Sequence, residues 1–123
     1  MEERQFTVEE ANAMLATLRP ALERIRQARQ VVLAGGERIK QTAGLNGGGG
    51  HGKEYWEALQ TLRRDVESLS EQGIVLRDPE SGLIDFPARR DGQDIFLCWR
   101  VGEDRVGYWH GPETGFAGRK PLP

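Results

Sequence analysis

The dipeptide Asp91-Gly92 sits between two stretches of alternating apolar and polar residues, Leu83 to Arg89 and Gln93 to Val101. Both central positions of a type I′ turn need positive φ, which Asp tolerates and Gly adopts freely, so the pair predicts a two-residue hairpin. Pairing outward from that turn sets Arg90 opposite Gln93, Ala88 opposite Ile95, Phe86 opposite Leu97 and Ile84 opposite Trp99. Beyond its charged tip this face is apolar and must pack on something. The other face pairs Arg89 with Asp94, Pro87 with Phe96, Asp85 with Cys98 and Leu83 with Arg100. A slip of one residue would exchange the two faces, so burial of the apolar set fixes the register. Pro87 has no amide hydrogen to give a ladder, which points to an edge or a bulge there.

A shorter strand, Ile74 to Arg77, precedes this hairpin across the turn Asp78-Pro79-Glu80-Ser81-Gly82. After it, Gly102-Glu103-Asp104-Arg105 reads as a second turn leading into a last strand, Val106 to His110. Pairing Val101 with Val106 sets Trp99 opposite Tyr108 and Leu97 opposite His110, on the core side. A three-residue loop would instead move His110 to the Cys98 face. Residues 111–123 read as an extended tail anchored by Phe116.

The first half of the chain has helical periodicity. Thr7 to Glu10 is a T-x-x-E capping box, and Ala11, Leu15, Leu18, Leu22, Ile25 and Val32 follow in steps of four and three, with Arg29 interrupting. That spacing approaches a coiled-coil seam. Pro20 predicts a kink, or two helices meeting near Arg19, and Gly35-Gly36 predicts fraying before Ala43. Tyr55, Leu59, Leu62, Val66 and Leu69 repeat the pattern, giving a second helix from Lys53 to Gln72 with Gly73 as its cap. The two should pack as an antiparallel hairpin with left-handed coiling. The connector GLNGGGGHG, residues 44–52, is too rich in glycine for regular structure. A phosphate loop is not expected, because no strand precedes it and Lys53 is followed by Glu54. His51 is expected in solvent.

These readings give one α+β domain over residues 1–123. A long antiparallel helical hairpin (7–72) packs on a small three- to four-stranded antiparallel β-meander (74–110), and an extended tail (111–123) follows. The first helical region is longer than the second. Its uncovered apolar surface needs the sheet or another subunit, so a homodimer or higher homo-oligomer is expected.

The run GLIDFPARRDGQDIFLCWRVGEDRVGYWHGPETGFAGRKPL resembles the C-terminal signature of the bacterial domain-of-unknown-function family 2203, its FPARRDG, LCWR and WHGPETGFAGR segments most specifically. The opening FTVEEANAML resembles that family's N-terminal half. The resemblance implies a bacterial cytoplasmic origin and supplies no reaction.

Charge and composition exclude several classes. With 17 basic and 19 acidic residues the net charge is −2, so the basic stripe of a nucleic-acid binder is missing. No apolar run approaches the roughly 18 residues that cross a bilayer. The lone Cys98 forbids an internal disulfide and suits a reducing cytoplasm. Asp85, Cys98, Glu103, His110 and Glu113 are residue types that bind divalent transition metals, and His110 and Glu113 are close enough for one turn to bring both to an ion. The strict zinc spacings are absent, so Cys98 as buried packing and His110 as a structural hydrogen-bonding group stand beside that reading. A nucleophilic Cys98 would need His110 as its base, and Asp85 opposite disfavours the thiolate. The expected function is a non-enzymatic interaction or scaffold protein that self-associates through its helices. The alternative is a metal-binding protein using His110 and Glu113 with Cys98 or Asp85, a divalent transition metal being the one cofactor these residues suggest.

Overall fold

The computed structural model describes residues 4–42 and 52–123. Two helices, α1 (Val8–Thr42) and α2 (Gly52–Glu71), precede five strands: β1 (Val75–Asp78), β2 (Leu83–Arg90), β3 (Gln93–Arg100), β4 (Tyr108–His110) and β5 (Lys120–Pro121). The strands form one antiparallel sheet in sequence order. The fold is therefore α+β, with one strand more than expected. The addition is β5, which pairs Tyr108 with Pro121 and Trp109 with Lys120 where the sequence suggested only a tail.

α1 begins with the capping box in place: the Thr7 hydroxyl accepts from the Glu10 amide at 3.0 Å, and the Glu10 carboxylate accepts from the Thr7 amide at 2.9 Å. The helix then runs as one element through Pro20 and past Gly35-Gly36 to Thr42, so two helices meeting near Arg19 are not found. Pro20 faces solvent, so the Ala16 carbonyl it leaves unpaired can turn to water, while Leu18 and Leu22 on the opposite face are held in the core. At Gly35 the ring of Tyr55 packs so closely that an added Cβ would lie 2.5 Å from it. α2 ends in a Schellman cap, with the Gly73 amide bonded to the Ser70 carbonyl and Ile74 to Leu69. The contact of Gly35 with Tyr55 and the Arg24–Asp65 ion pair make the helices antiparallel neighbours. The connector's residues 43–51, including His51, lie outside the described residues.

Asp91 (φ 52°) and Gly92 (φ 78°) make the expected turn, and all eight β2–β3 pairs fall in the expected register, from Arg90–Gln93 to Leu83–Arg100. Ile84, Phe86, Leu97 and Trp99 are buried against Ala11, Leu15, Leu18 and Leu22. The sheet, not a second chain, thus covers the first part of α1. Pro87 lies beyond the end of β1's pairing, a local edge where its carbonyl accepts from the Phe6 amide at 2.7 Å.

The β3–β4 register differs from the four-residue turn by one residue: Phe96 pairs with His110, Leu97 with Trp109 and Cys98 with Tyr108. α1 causes the shift. Asn12 Oδ1 accepts the Val106 amide at 2.8 Å, and Arg19 donates to the Asp104 carbonyl at 2.8 Å. Val106 is drawn out of the ladder into the core, where it is 2% exposed, so pairing begins only at Tyr108. His110 therefore points to the Cys98 face.

Candidate functional site

On the sheet face away from the helices, Asp85 of β2, Cys98 of β3 and His110 of β4 converge, with relative exposures of 1%, 0% and 3%. One donor atom from each lies within 4.8 Å of the other two. Three of the four residues singled out as metal ligands are thus brought together. Glu113 is exposed in the loop after β4 and is not part of the group. Glu103, the other acidic residue weighed, is engaged with Arg119 instead.

The hydrogen bonds around the cluster set its chemistry. His110 Nδ1 lies 2.7 Å from the Gly111 carbonyl, and Nε2 lies 2.9 Å from Asp85 Oδ2. Both ring nitrogens face oxygen acceptors. Asp85 Oδ2 also accepts from Arg77 Nε at 2.7 Å, while Oδ1 is buried with no partner. Arg119 approaches Cys98 Sγ at 3.9 Å and grips the Glu103 carboxylate at 3.0 and 2.6 Å. Arg77 stacks over Phe96, and Arg119 over Tyr108 and Phe116, which closes the cluster from solvent.

This arrangement does not support nucleophilic catalysis by Cys98. Burial and the negative charge of Asp85 push the thiol up to about 11, although Arg119 pulls the other way. No His110 nitrogen is left to take the thiol proton, since both are occupied by oxygens. The chemical capacity that remains is ligation, with oxygen, sulfur and nitrogen donors gathered in one closed place.

A second feature lies where α1 outruns the sheet. Val32, Leu33, Leu59, Leu62 and Val66 line an apolar groove with Leu76 and Pro79 at its foot and Arg29 and Arg63 at its rim. Leu33 is 54% exposed, and Trp56, one turn before Leu59, is 63% exposed. Sequence periodicity located Val32, Leu59, Leu62 and Val66 but assigned them to the seam between the helices, and it did not single out Leu33 or Trp56. Sequence reading also missed Asp65, a buried carboxylate held by Arg24 at 3.0 and 3.2 Å. Its partner is 41 positions away, and only its place among the apolar residues of α2 hints at burial.

Among the described residues no helix is long and apolar enough to cross a membrane. A family model described as "Uncharacterized conserved protein (DUF2203)" matches residues 4–122. No curated protein and no solved structure matches the chain.

Proposed function

The chain belongs to the DUF2203 family, and we propose that it is a non-enzymatic interaction protein of a reducing cytoplasm that self-associates through an apolar groove of its helical hairpin. The observation that carries this reading is the apolar groove of α1 and α2 with Leu33 and Trp56 standing exposed beside it. Contiguous apolar surface on a soluble protein marks an interaction site, and exposed tryptophan is a frequent anchor of such contacts. The catalytic alternative is weakened by a protonated, buried thiol with no free base.

The pattern of α2 suits a second copy of the same chain. Laid antiparallel on its two-fold mate, α2 sets Leu59 against Leu62 of the other copy, one half-buried leucine on the other. A two-fold contact requires such self-complementarity. Sedimentation equilibrium at micromolar concentration tests the reading. A dimer mass is expected, falling to a monomer in Leu33→Glu and Trp56→Glu, both exposed enough to leave the fold intact. A monomer in the native chain would overturn it, as would a dimer indifferent to both substitutions.

A further inference from the structure

We infer that Asp85, Cys98 and His110 form a closed binding site for a single divalent transition-metal ion of zinc type. The inference is independent of helical association, since the cluster lies on the opposite side of the sheet.

Three observations carry it. The donor set is one carboxylate oxygen, one thiol sulfur and one imidazole nitrogen, all within 4.8 Å. Donors around a tetrahedral zinc ion sit about 3.3–3.7 Å apart, given metal–ligand bonds of ~2.0–2.3 Å. Side-chain adjustment alone therefore closes the set on an ion. The histidine is already oriented as a ligand: Nδ1 is tied to the Gly111 carbonyl at 2.7 Å, which aims Nε2 into the cluster. Finally, Asp85 Oδ1 is buried without a partner, while Oδ2 is held by Arg77. An orphaned carboxylate oxygen at 1% residue exposure carries a desolvation penalty that an ion would remove.

Arg77 and Arg119 stand close by, and a cation added beside two guanidinium groups would ordinarily be repelled. The exchange avoids this. One M²⁺ enters, and two protons leave: the thiol proton of Cys98 and the proton between His110 Nε2 and Asp85 Oδ2. The local charge is the same before and after. Sulfur becomes a thiolate bound to the ion, Oδ1 and Nε2 take the next two positions, and Arg77 keeps Oδ2. Mixed sulfur, nitrogen and oxygen donors select borderline-soft ions over calcium or magnesium.

The test titrates the chelator-treated, untagged chain with Co²⁺ and with Zn²⁺, following absorbance and proton release. One ion per chain is expected, with a thiolate-to-cobalt band in the near ultraviolet and about two protons released per ion. Cys98→Ala removes only a small neutral group and should keep the native circular dichroism while losing the band and one of the protons. Glu113→Ala should bind as the native chain does. Failure of the folded native chain to take up either ion overturns the inference. So does cobalt uptake without the sulfur band, or uptake lost in Glu113→Ala.

Discussion

Asp85 and His110 are 25 residues apart in sequence and 2.9 Å apart in space, because His110 stands opposite Phe96 rather than Leu97. In the other register the imidazole would enter the helix-facing core and the carboxylate would lose that partner. The contact is made by Asn12, which holds Val106 out of the ladder from the far side of the sheet.

Asn12→Ala should therefore leave the Val106 amide without its acceptor and destabilise the chain by about 1–3 kcal/mol. Asn12→Asp keeps an oxygen at that place and should lose less. Urea denaturation of the two variants, compared at equal slope, checks the order.

Cys98 should resist thiol reagents in the folded chain at neutral pH, since burial and Asp85 both oppose the thiolate. Reaction should appear only as denaturant unfolds the chain. Rapid labelling under native conditions would contradict the closed cluster.

The Glu103–Arg119 pair should give the fold an acid-sensitive component. Burial raises the Glu103 carboxyl, but hydrogen bonds from Arg119 and the Arg100 amide outweigh it and hold the group below the usual carboxylate range. Its contribution is therefore complete above the unfolded value and is lost as pH falls through the lower, folded one. Glu103→Gln should reduce stability at pH 7 by about 1–3 kcal/mol and flatten the loss on acidification. Thermal melts from pH 7 down to pH 3 measure both effects.

Gly35→Ala should destabilise although alanine is the better helix former by about 1 kcal/mol. The new methyl would lie 2.5 Å from the Tyr55 ring and must displace it. Tyr55→Leu in the same chain should recover part of the loss, which a double-mutant cycle would show as coupling.

The hairpin β2–β3 was legible because turn chemistry and alternation agree on one register, and the helix ends because Thr7, Glu10 and Gly73 carry local signals. Contacts across long sequence separations were not legible. Pro20 left open two helices meeting near Arg19, yet α1 passes through it as one helix with Leu18 and Leu22 buried against the sheet. The register of β4 hangs on Asn12, 94 positions from Val106. Asp85 facing Cys98 followed from the first hairpin, whereas His110 beside them was one of two registers the second turn left open, and the one observed goes with that distant bond. Glu113 could not be separated from His110 by spacing alone, since the loop after β4 turns it outward. β5, a pair of residues ending in proline, carries no periodicity to read.

The order of the sheet has a consequence for how copies of this chain can meet. One border is β1, four residues long with a register irregularity between Leu76 and Asp78, and followed at once by Pro79. The other is β5, two residues long and terminated by Pro121, which has no amide hydrogen to offer a neighbour. Neither rim presents a run of free backbone groups long enough to template another strand, so growth by strand addition is blocked on both sides. The sheet is thus a terminated surface, with no rim that could seed a fibre of stacked strands.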